Sequence, residues 1–368
     1  MFERRLYFHI DWLLLGAILV LAGIGVAMVY STTYITTATG GRAAPLVWTQ
    51  TYALAIGLVA LLVCLAIDYR ILAENSLFLF GALLVLLVFV LVKGQTQMGG
   101  QRWIPIGPFH LQPSEFARIG VALMLAMYFG ENRRGAKNTS DLLIGGILTA
   151  IPLILIAKQP DLGTAVTLLP VFIGIAFLAG LRMRLLAIVL IASLPLGLAA
   201  YKFALKDYQK QRIQTFLDPE KDPQNTGYQT IQARVTVGSG GLTGKGFRNG
   251  TQGQYKFLPV AHNDFIFSVL AEEQGFIGVL TALGLYLFVI LRSLEAARLA
   301  KDRLGAYLVG GIVSGFAFQA IYNVAMSAGL APVKGITLPL MSYGGSSLIA
   351  TLAGFGLILN VRMRRFTN

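Results

Sequence analysis

Acids, amides and glycines gather in five short segments of an otherwise apolar chain. In QPSEFARIG (Gln112–Gly120), Glu115 and Arg118 stand three residues apart and share one helix face, which suits an ion pair or an anion contact. In QPDLGTA (Gln159–Ala165), Asp161 follows a proline and precedes Gly163. In LPVAHNDFIFSVLAEEQG (Leu258–Gly275), His262, Asn263 and Asp264 lead into an apolar run. Asp264, Ser268, Ala271 and Gly275 then recur at helical spacing, as if lining a cavity. VGSGGLTGKGF (Val237–Phe247) is rich in glycine, holds Lys245 and is followed by Arg248. ITLPLMSYGGSS (Ile336–Ser347) places Ser342 among helix breakers. A carboxylate such as Asp264 suits proton transfer. Glycine amides beside Lys245 and Arg248 suit an anionic pyrophosphate.

Each segment also has a plainer structural reading. Glu115 favours a helix N-terminus, and its pairing with Arg118 makes a span insertable. Asp161 fits a helix cap. Asn263 fits a cap with Asp264 in the first turn, and the stripe behind it fits a packing seam in which Glu273 points away. The glycine stretch fits a flexible turn. It is not a nucleotide P-loop, because the first glycine position is Ser239 and the hydroxyl position is Gly246. ITLPLMSYGGSS fits either a connecting loop or a re-entrant turn. Cys64 is the single cysteine, and the three histidines are His9, His110 and His262, so a metal cluster or a Ser-His-Asp triad has little to draw on.

These segments must be positioned by a membrane domain. Of 368 residues, 55% are hydrophobic and 13% charged, against about a quarter charged in soluble domains. The pattern predicts an all-α polytopic protein of about ten transmembrane helices. The spans fall at roughly 11–30, 50–67, 75–93, 114–131, 141–158, 161–180, 184–204, 264–292, 305–327 and 346–362. The first is read as uncleaved, and KQPD closes a tight hairpin between the fifth and sixth.

Positive charge sets the orientation. With both termini cytoplasmic, the inner segments hold Arg4, Arg5, Arg70, Arg133, Arg134, Lys137, Arg182, Arg184, Arg292, Arg298, Lys301, Arg303, Arg362, Arg364 and Arg365. The short outer segments hold only Arg42, Lys93, Arg102, Lys158 and Lys334. One large extracytoplasmic loop, 206–262, then lies between helices 7 and 8. Its spread of Tyr208, Phe216, Tyr228, Phe247, Tyr255 and Phe257 predicts packing on the membrane face. The net charge of +13 alternates by loop and forms no single basic face, which argues against nucleic acid. All five polar segments fall at outer ends of spans, where they can share one cavity.

The segments also carry a resemblance. QRWIPIGPFHLQPSEFA (Gln101–Ala117), QPDLGTA, GYQ (Gly227–Gln229), VGSGGLTGKGF, GTQ (Gly250–Gln252), FLPVAHNDFIFSVLAEEQGF (Phe257–Phe276) and LPLMSYGGSS (Leu338–Ser347), in that order, resemble the SEDS family of shape, elongation, division and sporulation proteins. The form is similar to its rod-shape branch rather than its division branch, and the likeness covers nearly the whole chain, 1–368, as one SEDS domain. It implies a peptidoglycan glycosyltransferase that polymerises lipid II during cell elongation, at the outer face of the bacterial cytoplasmic (inner) membrane. A class B penicillin-binding protein is the implied partner, beside membrane lipids.

The family's essential acid falls on Asp264, and its fourth-span acid and cation on Glu115 and Arg118. Asn263 stands where the family has Thr, and Arg118 where it has Lys. Asp264 is the expected base. Glu115, Arg118, Lys245, Arg248, Asp161, Gln112, His262 and Ser342 are the expected substrate contacts. No cofactor is read from the residues, and a divalent cation, Mg or Mn, is left open. A lipid II flippase and a non-catalytic scaffold for the penicillin-binding protein are the rival readings.

Overall fold

A computed structural model describes residues 9–33, 45–97, 100–107, 109–131, 139–180, 214–222, 226–254 and 257–366, with isolated positions 191, 195, 202 and 210. The expected span 184–204 lies almost wholly outside the described residues. So do Arg4, Arg5, Arg42, Arg133, Arg134, Lys137, Arg182, Arg184, Tyr208 and Tyr255.

The apolar runs become helices. The first half of the chain gives α1 (Trp12–Thr33), α2 (Pro45–Ala66), α3 (Tyr69–Glu74), α4 (Ser76–Lys93), α5 (Pro113–Glu131), α6 (Thr139–Lys158), α7 (Leu162–Val166) and α8 (Leu168–Leu178). The second half gives α9 (Thr226–Ser239), α10 (Thr251–Gln254), α11 (Ile266–Arg298), α12 (Arg303–Ser327) and α13 (Gly345–Met363). Among the described residues, seven of these are long and apolar enough to cross a membrane: α1, α2, α4, α6, α11, α12 and α13. The chain is a multi-pass, almost wholly helical membrane protein.

Three details differ from the sequence expectation. QRWIPI does not simply join two spans. It forms a small antiparallel sheet of β1 (Gln95–Gln97), β2 (Gly100–Ile106) and β3 (Phe109–Leu111), in that order. Trp103 pairs with Gln95, and Ile104 with Leu111. The expected span 161–180 is split at Thr167 into α7 and α8. The expected eighth span is broken too, because Gly275 sits at φ 63, ψ −164 inside α11.

α13 is the axis of the bundle and is buried along almost its whole length. α2 runs beside it, α5 and α12 flank it, and α11 packs against α12 and α1. Arginines gather at one end. Asp11 takes Arg292 at 2.9 Å and Arg362 at 2.6 Å, while Arg70 meets Asp302 and Arg364 meets Asp68, each at 3.0 Å. These are segments that the charge pattern assigns to one side. The polar segments meet at the opposite end.

Candidate active site

Pro113 opens α5, so Glu115 falls in its first turn and Arg118 one turn on. Arg118 Nη2 donates to Glu115 Oε2 at 2.6 Å, and both residues are buried. Arg118 Nη1 donates to the Gln319 side chain from α12. Gln319 Nε2 in turn donates to Thr337 Oγ1 at 3.2 Å, and Thr337 meets Ser347 at 3.2 Å. A guanidinium can hold these two partners at once because its donors are fixed in a fork.

This pair lines a small cleft. Thr164, Thr167, Gln319, Gly335, Ile336 and Thr337 complete its lining. A second, apolar pocket, lined by Phe316 and Phe355 among others, abuts the same pair.

Asp264 stands over the rim. Gly335 has φ +66, in the region that disfavours L side chains, and a Cβ placed there would lie 3.6 Å from Asp264 Oδ2. The acid is half-buried. It is not in the first turn of α11, as its position in the sequence suggests, and Asn263 does not cap that helix. Phe265 takes the N-cap position, without a side-chain bond. The physical reason is a run of turns over 258–265 that starts at Val260 with φ 52. The Asp264 N–H donates to Val260 O at 3.2 Å, and its carbonyl accepts from Asn323 Nδ2 at 2.9 Å.

Asp161 and Gln112 pair behind Thr164, which lines the cleft. Asp161 caps α7 through Thr164 N at 3.1 Å and accepts from Gln112 Nε2 at 2.9 Å. Arg102, from β2, lies 3.7 Å from the same carboxylate. The segment 334–337 crosses α7 so closely that a Cβ on Gly163 would meet Lys334 O at 2.6 Å. Ser342 and His262 hold the frame. Ser342 Oγ accepts from Leu338 N at 2.8 Å, and Tyr343 N donates to His262 O at 2.9 Å. Burial pushes the His262 imidazole below its ordinary value. Gln50 from α2 clasps both ends of this turn, donating to Ser342 O and accepting from Gly344 N. The path from 330 to 344 is irregular, exposed or half-buried up to Gly335 and buried at Ile336 and over 338–342.

The glycine-rich stretch does something other than cradle an anion. Gly244 N donates to Gly240 O, Lys245 N to Glu272 O and Gly246 N to Glu273 O, at 2.9, 3.0 and 2.9 Å. Phe276 N and Ile277 N donate back to Gly241 O and Leu242 O, at 2.9 and 3.2 Å. The loop therefore supplies the backbone partners that the break at Gly275 removes from the α11 ladder. A side chain at Gly275 would meet Gly244 N at 2.2 Å.

Lys245 Nζ is committed to Glu272 at 2.7 Å and Thr251 at 2.9 Å. Arg248 lies over the Tyr30 ring at 5.8 Å. Neither lines the cleft. Ala271 and Gly275 face this loop, so the expected cavity stripe is packed against protein. Glu273 does not point away but reaches α1, where Ser31 donates to it.

Sequence reasoning missed Gln319, Asn323, Gly335 and Thr337. Their types are ordinary in an apolar span or a loop, and their partners are distant in the chain. Among the described residues, no three His, Cys, Asp or Glu side chains form a group that could hold a metal ion.

The sequence matches the FtsW/RodA/SpoVE family of cell cycle proteins over residues 11–366. The chain belongs to that SEDS family. It is similar to the peptidoglycan glycosyltransferase MrdB of Escherichia coli strain K12, with 41% identity over 317 residues, 85% of this chain and 84% of that one. It is also similar to the probable peptidoglycan glycosyltransferase FtsW of Trichlorobacter lovleyi, 37% identical over 364 residues, 95% and 92% of the two chains. Among solved structures it resembles a chain of a peptidoglycan synthase complex that coordinates polymerization and crosslinking. There the TM-score is 0.83 and the identity 34%, over 98% of this chain and 99% of that one. Thermus thermophilus rod shape determining protein RodA matches with a TM-score of 0.73 and 31% identity, over 98% of each chain.

Proposed function

We propose that this chain is a peptidoglycan glycosyltransferase that polymerises lipid II during cell elongation, at the outer face of the bacterial cytoplasmic membrane. The observation that carries the reading is the Asp264 carboxylate poised over Gly335, at a cleft floored by the buried Glu115–Arg118 pair. Membership of the SEDS family and the names of its relatives support it. The chain is one domain with ten crossings and both termini cytoplasmic, and 206–262 is its large outer loop. Its partner is a class B penicillin-binding protein, a reading supported by the likeness to a synthase that couples polymerization with crosslinking.

The reaction needs a sugar hydroxyl to attack the anomeric carbon of a second lipid-linked glycan. A C–O bond forms, the bond to the lipid pyrophosphate breaks, and the hydroxyl proton passes to Asp264. Base catalysis of this kind contributes about 10²–10⁴-fold. Arg118, held from both sides by Glu115 and Gln319, presents fixed positive charge toward the leaving pyrophosphate. Asp161 and Gln112 hold Thr164 and the start of α7 rather than react.

The test uses purified protein with its partner, lipid II, and the partner's transpeptidase blocked. Glycan polymer from the wild type, abolished in Asp264→Asn with partner binding intact, is the expected result. Lipid II flipping in liposomes without polymer would make the chain a transporter. Partner binding with neither activity would make it a scaffold.

A further inference from the structure

Two irregular segments, 258–265 and 330–344, meet at the rim of the cleft, and neither is held there by helix or sheet. Beside the backbone bond from Tyr343 N to His262 O, a buried side chain ties them together. Asn323 on α12 is fully buried, and its Nδ2 donates to Asp264 O at 2.9 Å and to Ile336 O at 2.7 Å. A primary amide carries two N–H donors on one nitrogen, so it can bridge two carbonyls. A hydroxyl has one donor, and a carboxylate has none at neutral pH.

The bridge joins the backbone of the acid to the residue after Gly335, whose Cα the carboxylate faces. Gln319, one turn earlier on the same face of α12, holds Arg118 and Thr337. One helix face thus fixes both the cation on the floor and the acid on the rim. Asn323 Oδ1 is itself buried and has no hydrogen-bond partner, so the side chain is committed to its donor edge.

We propose that Asn323 is a positioning residue for the glycosyl transfer: it sets the distance of the Asp264 carboxylate from the reacting hydroxyl and does not touch substrate. This rests on the glycosyltransferase reading above. Misplacing a reacting group by about 1 Å costs on the order of 10²-fold in rate.

The experiment measures lipid II polymerisation by the complex of this chain with its crosslinking partner, normalised to molecules that bind lipid II. Asn323→Asp keeps size and shape and removes the donors, Asn323→Ser keeps one donor, and Asn323→Ala removes the side chain. For Asn323→Asp and Asn323→Ala, kcat falls by about 100-fold while KM stays within about threefold, and Asn323→Ser lies between them and wild type. If Asn323→Ala does not fold, the near-isosteric Asn323→Asp carries the test.

A kcat within about threefold of wild type in the bound fraction overturns the proposal, as does a loss that sits wholly in KM. An active Asp264→Asn would instead sink Asp264 as the base, and a wild type that makes no polymer would sink the glycosyltransferase reading. Asp264→Asn inactive with Asn323→Asp active would sink the positioning role alone.

Discussion

The cleft at Asp264 and the clamp at Gly275 are built from the same parts. Each has a buried carboxylate with a basic partner, and a glycine at positive φ. They differ in what surrounds the carboxylate. Glu272 is wholly buried and accepts from Lys245 Nζ, Thr251 N, Thr251 Oγ1 and Gln252 N, at 2.7 to 3.2 Å. Asp264 is half-buried, with its carboxylate beside Gly335 at the cleft. A wholly buried carboxylate behind several donors is out of a substrate's reach, whereas a half-buried one beside a cleft is not. Motif content alone does not separate them, because the clamp carries the more suggestive glycine–lysine sequence.

Substitutions can break this contrast. Arg118→Ala removes the cation from the buried Glu115, a loss worth about 3–5 kcal/mol, and should abolish both thermal stability in detergent and polymerisation. Glu272→Leu strands the N–H groups of Thr251 and Gln252 and the Lys245 ammonium, and should cost about 2–3 kcal/mol in thermal unfolding. Activity per folded molecule should survive that change, and a specific loss of rate would erase the distinction drawn between the two regions.

Gly335→Ala forces a residue with a Cβ into φ +66, at a strain of about 1–2 kcal/mol, and puts a methyl beside the Asp264 carboxylate. A drop in kcat of about tenfold is expected, with lipid II binding kept. The smallest effect concerns His262. Burial lowers its folded-state pKa, so below about pH 6.5 the unfolded chain takes up a proton that the folded chain resists. Unfolding in detergent should therefore show stability falling as pH drops through that window, and His262→Gln should flatten the slope.

What the sequence made legible was local. Glu115 and Arg118 sit three apart on one helix, and Asp161 caps the helix that follows it, so both arrangements can be read without knowing the fold. The apolar runs likewise gave most of the spans. The rest depends on contacts across the chain. Gln319 and Asn323 lie in a run that reads as an ordinary span, and their partners are Arg118, Thr337, Asp264 and Ile336. The clamp was misread because its partner is a gap in a helix, and a gap is set by one φ angle at Gly275 rather than by composition. The sheet was missed because its strands are short and β2 contains Pro105.

The break in α11 has a mechanical meaning. It isolates a stub, 266–274, about 13 Å long at the usual helical rise. One end of the stub is gripped by residues 241–246, and the other leads into Asp264, which Asn323 holds. The stub is a strut between two pins. The glycine loop and the backbone that carries the acid are therefore joined through one short piece of helix.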